Sequence, residues 1–122
     1  MLSEAQIVRL RRRREFLAAA RGLKAGARAF TLQAVRRSGE TAAAEIGIGI
    51  TVTRKIGGAV VRNRARRRLR EALRRVAPER GQPGHDYVVV ARPPALTQPF
   101  EELVRDLGGS FGGIGRRLTK AD

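Results

Sequence analysis

The run Val60-Val61-Arg62-Asn63-Arg64-Ala65-Arg66-Arg67-Arg68-Leu69-Arg70-Glu71-Ala72-Leu73-Arg74-Arg75-Val76 constrains this chain more than any other segment. At roughly 100° per residue, Val61, Ala65, Leu69, Ala72, Leu73 and Val76 gather on one helical face. Asn63, Arg67, Arg70 and Arg74 gather on the opposite face, with Arg62 and Arg66 beside them. Such a helix docks on a core by its apolar stripe and holds out a rigid comb of guanidinium groups. Guanidinium forks pair bidentately with phosphate oxygens and stack on bases, which makes nucleic acid the leading partner.

The charge balance points the same way. Lys and Arg number 26 against 11 Asp and Glu, a formal net charge of +15. Lys24, Lys55 and Lys120 are the only lysines. A domain that repels itself this strongly is best explained by a polyanionic partner. A GC-rich genome would favour Arg over Lys, but it does not account for the excess of charge. A merely solvated face is disfavoured for the helix itself. Glu71 is its only acid, against Arg62, Arg64, Arg66, Arg67, Arg68, Arg70, Arg74, Arg75 and, just past it, Arg80.

With 122 residues, 42% of them apolar, one compact domain over residues 1–122 is expected. The chain has no cysteine, which excludes disulfides and cysteine-based metal sites and suits a reducing cytoplasm. No apolar stretch approaches the length that spans a bilayer, and no signal-peptide core follows the start. Ile7–Lys24 is rich in Arg and Ala like a mitochondrial presequence. Glu4, Glu15 and the lack of a processing boundary before Phe30 count against that reading.

Periodicity places the elements. Met1–Gln6 reads as a loose end and Ile7–Arg14 as a basic lead-in. Arg14–Arg21 reads as a short helix with Phe16, Leu17 and Ala20 partly inward, broken by Gly22 to Gly26. Ala29–Arg37 reads as a strand through Phe30, Leu32 and Ala34. Glu45–Thr53 alternates Ile46, Ile48, Ile50 and Val52 with Gly47, Gly49, Thr51 and Thr53, a strong strand signal. Its glycine face leaves room for another backbone or a helix. Arg54 to Gly58 forms a basic turn into the arginine helix, which Pro78, Gly81, Pro83 and Gly84 end. Asp86–Ala91 reads as a buried strand. Pro99 opens a last helix with Phe100, Leu103, Leu107, Phe111, Ile114 and Leu118 on one side. Gly108, Gly109, Gly112, Gly113 and Gly115 predict that it frays. The fold class is α+β: a small mixed sheet of about four strands with packed helices, in the order α-β-β-α-β-α.

No residue set suggests bond chemistry on the protein. His85 stands alone in a Pro-Gly loop and reads as an exposed loop residue. No Ser/His/Asp, Cys/His or paired-carboxylate motif appears. Gly47-x-Gly49 lies inside a strand and opens no helix, so it fails the test for a phosphate loop. Phe30 and the apolar residues of the last helix read as core. Asn63 suits either a local hydrogen bond or a nucleic-acid contact.

The segment from Thr53 through Arg54-Lys55-Ile56-Gly57-Gly58-Ala59 and Arg62-Asn63-Arg64 to Glu71 resembles the signature of the bacterial ribonuclease P protein family. Arg9-Leu10 with Arg14-Glu15-Phe16, Ile46-Gly47-Ile48-Gly49-Ile50 and Asp86-Tyr87-Val88-Val89-Val90-Ala91-Arg92-Pro93 resemble its flanking elements, so the likeness spans about Arg9 to Leu118. It implies a protein cofactor of a ribonucleoprotein endonuclease. In that family the RNA subunit cleaves the 5′ leader from precursor tRNA, with Mg²⁺ bound mainly by the RNA. It also implies a ribosomal S5 domain 2-like fold with an unusual left-handed β-α-β crossover, against the right-handed default. Carried over, Arg54, Lys55, Arg62, Asn63, Arg64, Arg66, Arg67 and Arg70 contact the catalytic RNA, and Arg74 joins them on the same helical side. Phe16 and Phe30 match aromatics assigned to the leader cleft. Ala20 and Gln33 stand where further aromatics are expected, and Gly58 where Asn is usual. A ring stacked on a base is worth roughly 1–3 kcal/mol, so these departures predict weakened or re-tuned leader contacts. The protein alone is expected to be monomeric and off the membrane.

Two other classes share parts of this pattern. A ribosomal or other structural RNA-binding protein matches the charge and size, but more often carries long basic tails. A DNA-binding regulator would need a second helix joined by a short turn. A membrane-surface role is weaker, because the apolar face is needed for the core and the helix lacks large anchors such as Trp.

Overall fold

The computed structural model describes residues 5–121. The alternating segments form strands, and the segments of helical period cover both faces of the sheet they make. In chain order the elements are β1 (Gln6–Arg9), α1 (Arg13–Ala20), β2 (Leu23–Gly26), β3 (Phe30–Arg36), β4 (Glu45–Thr51), α2 (Ala59–Arg80), β5 (His85–Ala91) and α3 (Phe100–Ala121). Short 3-10 turns occupy Ala42–Ala44, Arg54–Ile56 and Pro93–Leu96. The five strands lie in the order β1-β4-β5-β3-β2. β1 pairs parallel with β4 and β4 with β5, whereas β3 runs antiparallel to both β5 and β2.

Central β5 is covered on both sides, which is why it reads Tyr87-Val88-Val89-Val90 with no polar alternation. Tyr87 and Val89 face the layer formed by α2 and α3, and Val88 faces α1. The stripe of α2 (Ala65, Leu69, Ala72, Leu73, Val76 and Ala77) is buried there with Leu103, Leu107, Phe111 and Ile114 of α3. The Tyr87 and Phe111 ring centroids stand 4.5 Å apart. The Tyr87 hydroxyl accepts from the Gln82 N–H at 2.8 Å. Burial raises its pKa above the ordinary tyrosine value.

On the opposite face α1 packs through Ala19 onto Leu10 and Val88, with Phe16, Val35 and Val90 around them. The glycine face of β4 permits this approach. A Cβ at Gly47 would strike the Asp86 carboxylate, and one at Gly49 would lie 2.7 Å from the Phe16 ring.

Several expectations need correction. The sheet has five strands rather than about four, and the order is β-α-β-β-β-α-β-α. β1 lies where a loose end and a basic lead-in are predicted; Met1–Glu4 lie outside the described residues. Its four residues carry too few apolar positions to show a period, and it forms by adding to the open edge of β4. β2 falls in the stretch read as a helix breaker and pairs with β3 from Leu23↔Ala34 to Gly26↔Thr31. α2 continues past Pro78 to Arg80, since a proline in the last turn forfeits only one backbone bond, and the Gly81 N–H closes on the Ala77 carbonyl at 2.9 Å. Arg80 and Glu79 therefore belong to the helix.

Two further differences concern side chains and ends. α3 is unbroken to Ala121. Each glycine weakens an exposed helix by about 1 kcal/mol, but the buried stripe offsets this, and Gly112 and Gly115 let Arg80 and Gln82 come close. His85 is the half-buried first residue of β5 rather than an exposed loop residue. Leu17 is 44% exposed, while Ala19 carries the inward contact of α1.

Gly22, between α1 and β2, tests this packing. A Cβ there would collide with the Ala34 carbonyl. Gly22→Ala is expected to destabilise the fold by about 1–3 kcal/mol, read as a lower urea midpoint at unchanged slope.

Candidate nucleic-acid interface

Burying one stripe of α2 decides where its charges go. Asn63, Arg64, Arg67, Arg70 and Arg74 are exposed, and Arg62 and Arg66 are half-buried beside them. Arg54 and Lys55 are exposed on the turn that leads into the helix. The predicted cationic set therefore lies along α2 and its entry. Asn63 makes a local bond, accepting from the Arg66 guanidinium at 3.2 Å. Arg74 is shared with Glu71 at 3.2 Å, an exposed pair that costs little to exchange for another anion. The Nε of Arg62 is buried without a partner. Arg68 is no part of the comb. Its guanidinium donates to the carbonyls of Ala95, at 2.9 Å, and Gln98, tying the Pro93–Leu96 turn to α2.

The comb borders a cleft of about 390 Å³ at the β1 edge of the sheet. Arg66, Arg70 and Arg74 form one wall, β1 and Phe16 the other, and Ile48, Gly49 and Ile50 of β4 lie between them. β1 ends where the Leu10 N–H donates to the Ile48 carbonyl at 2.9 Å, so the end of β4 lies open in the cleft. The mixture suits a single-stranded nucleic acid: an aromatic and aliphatic surface for bases, guanidinium groups for phosphates.

Of the two aromatics expected there, Phe16 is half-buried and lines the cleft. Phe30 is 0% exposed and sits in the main core. A ring enclosed on all sides cannot stack on a base, so its assignment to the leader cleft is corrected to a core role. The residues that reasoning from sequence missed are those of β1, with Ile7 and Val8 on the wall. An apolar pair between Gln6 and Arg9 was their only signal.

An ion-pair hub under α1 was also missed. Arg37, just past β3, donates to Glu45 at 3.0 Å and to Asp86 at 2.7 Å, and lies 3.8 Å from Glu15. Glu15 accepts in turn from the Arg12 and Arg11 N–H groups at 2.9 and 3.1 Å, capping the start of α1. One guanidinium thus joins α1, β4 and β5, and holds the turn of α1 that carries Phe16. Burial alone would raise Glu15, but the two amides and Arg37 outweigh it and hold it below the ordinary carboxylate value. The hydrogen bond from Arg37 lowers Glu45. Burial works against the charge on Arg37, and Asp86 and Glu45 raise its pKa overall.

Sheet, comb and cleft define a small, basic nucleic-acid-binding protein. The sequence profile of the family described as Ribonuclease P matches residues 5–115. The ribonuclease P protein component of Ruegeria pomeroyi is 49% identical over 100 residues, covering 80% of this chain and 78% of that protein. That of Brucella suis is 43% identical over 124 aligned positions, covering 98% and 88%. The solved ribonuclease P protein of Thermotoga maritima superposes with a TM-score of 0.63 at 29% identity, covering 81% of this chain and 90% of that one. A Staphylococcus aureus ribonuclease P protein mutant shares the fold, with a TM-score of 0.70 at 23% identity over 88% and 87%. The chain belongs to the ribonuclease P protein family.

The hub makes stability depend on acid. Glu15 and Glu45 titrate below the ordinary value of 4.5, so their contribution is full above that value and is lost as pH falls through their folded pKa values. Arg37→Met strands Asp86, whose side chain is 9% exposed, and is expected to cost roughly 3 kcal/mol at pH 7. Its loss of stability below pH 4.5 should also be shallower than that of the parent chain. Urea unfolding across a pH series checks both.

Proposed function

We propose that this chain is the protein subunit of a ribonuclease P ribonucleoprotein. It binds the catalytic RNA and the 5′ leader of precursor tRNA and so promotes endonucleolytic 5′ maturation. The observation that carries the reading is the shared cleft: Arg66, Arg70 and Arg74 face it from α2, and Phe16 faces it across the open end of β4. Catalytic RNA and leader are both polyanions and repel one another. A cationic wedge between them lowers that cost and releases counterions from both. The outer comb (Arg54, Lys55, Arg62, Asn63, Arg64, Arg67) takes the catalytic RNA. The cleft takes the unpaired leader, with Phe16 and the isoleucines beneath bases and the arginines on phosphates.

Bond chemistry belongs to the RNA in this reading, and Mg²⁺ with it. The carboxylates that converge on this protein, Glu15, Glu45 and Asp86, surround the Arg37 guanidinium. Paired with that cation, they do not fit a divalent ion. The protein acts on the metal indirectly, by settling an RNA fold that concentrates phosphates. Among the described residues Phe16 is the sole aromatic wall of the cleft, with Ala20 and Gln33 in place of further rings, so base stacking on the leader rests on one platform. Ile7, Leu17 and Val60, the large apolar side chains exposed among the described residues, lie on separate elements. That supports a monomer before RNA binds. No helix among the described residues is long and apolar enough to cross a membrane, and we place the protein in the cytoplasm with its RNA.

Reconstitution tests the reading. With a bacterial ribonuclease P RNA and leader-bearing precursor tRNA, at Mg²⁺ too low for the RNA alone, the protein is expected to restore 5′ cleavage. The Arg62→Ala, Arg66→Ala, Arg67→Ala triple variant should lose that rescue. Tight RNA binding by the folded protein without rescue, repeated with the RNA from its own source, would favour a structural RNA-binding role instead. Gly49→Ala separates the two contacts. It displaces the outer end of the Phe16 ring, a half-exposed group that can move. Leader affinity is expected to fall about tenfold, within the range of one stacked base, with binding of the catalytic RNA unchanged.

A further inference from the structure

The opposite edge of the sheet carries a second basic surface. β1 and β2 are the two edge strands, so four strand spacings, about 19 Å, separate the Phe16 cleft from β2. Between β2 and α3 lies a hollow of about 420 Å³ with Gly26, Gly109 and Gly113 in its lining and Arg105 and Asp106 beside them. A Cβ at Gly26 or Gly109 would meet nothing within 4 Å, so bare backbone is open to an approaching chain. Arg117 donates to the Lys24 carbonyl at 2.6 Å, and Arg92 reaches the Ala27 carbonyl at 3.4 Å. Both guanidinium groups are thereby drawn to the strand that bears Lys24 and leads into Arg28. Lys24, Arg28 and Arg105 are exposed, and among the described residues none of these five cations is in an ion pair. Asp106, the one carboxylate of the hollow among the described residues, is engaged by the Gln98 amide at 2.9 Å.

We propose that this hollow and the β2 edge beside it form a second docking surface for the ribose-phosphate backbone of the RNA subunit, with Arg105 in the hollow and Lys24, Arg28, Arg92 and Arg117 along the edge. The inference rests on the ribonuclease P reading and extends it. Cations around an alanine- and glycine-lined hollow suit a thin polyanion. A protein partner would need apolar or aromatic anchor pockets, and the lining has none. The RNA subunit is the occupant because α3 packs directly beside α2 in one layer. An RNA held on the α2 comb therefore continues over α3 to β2, whereas the leader cleft opens at the far edge. Two anchors, one on α2 and one at the β2 edge, fix the orientation of the protein on its RNA, which one helix face alone leaves free to pivot.

The test is the salt dependence of binding to the RNA subunit. The Lys24→Gln, Arg28→Gln, Arg105→Gln variant removes three exposed side chains that hold no intramolecular bond. The slope of log affinity against log salt is expected to become shallower by about 2, from 0.7–0.9 per phosphate contact, with thermal unfolding unchanged. An Arg28→Lys, Arg105→Lys variant should keep the parent slope. The α2 triple variant is measured in parallel. A parent-like slope in the glutamine variant, beside a loss in the α2 variant, overturns this inference alone. No loss in either overturns the ribonuclease P reading as well. A loss that appears only when precursor tRNA is present overturns the RNA subunit as occupant.

Discussion

Burial of the apolar stripe of α2 is the constraint on which the rest of the molecule depends. Ala65, Leu69, Ala72, Leu73, Val76 and Ala77 are removed from water together, and at about 25 cal/mol per Å² of apolar surface this fixes the rotation of the helix. Once it is fixed, the arginines have no freedom to turn inward. Arg68, beside the stripe, is half-buried and is received by the Ala95 and Gln98 carbonyls. Recognition surface and core are thus two sides of one packing decision, and the small residues Ala65, Ala72 and Ala77 let the helix lie close to the sheet.

The other wall of the cleft depends on electrostatics. α1 is only eight residues long and touches the sheet through few side chains. Isolated helices of that length are marginal. Its position rests on Glu15, which caps its start and faces Arg37. Arg37 in turn is held by Glu45 and Asp86, and Gly47 makes the space that Asp86 fills. The cleft is therefore kept in shape by carboxylates, the groups least suited to touching a polyanion, and they are sequestered around one cation.

Much of this was legible in the sequence, and for physical reasons. A period of two through Ile46–Val52 and a period of 3.6 through Val61–Val76 each bury one face, and burial is what periodicity reports. The α2 set of cations followed from it. β1 and β2 were not legible, because strands of four residues exist through a partner's unpaired edge rather than through their own pattern. The Arg37 hub was hidden for a related reason: its members are separated by 8 to 49 positions where they hydrogen-bond, and nothing in the local sequence distinguishes Arg37 from its neighbour Arg36. The residue pattern placed Phe30 in the core, where it lies; only the resemblance put it in the cleft, because resemblance carries a residue type without its environment. At the start of β3, opposite Ala91, that ring points into the layer shared with α2 and α3.

The central claim is that α2 and the cleft hold two different RNAs at once. Backbone amide shifts of the labelled protein, titrated first with the RNA subunit and then with a single-stranded leader oligonucleotide, test it most directly. The account expects the RNA subunit to perturb Asn63, Arg64, Arg67 and the Arg54–Ile56 turn. The leader should then perturb Phe16, Ile48 and Ile50 without displacing the first set. Leader shifts that fall on the outer face of α2, or that vanish once the RNA subunit is bound, would contradict it.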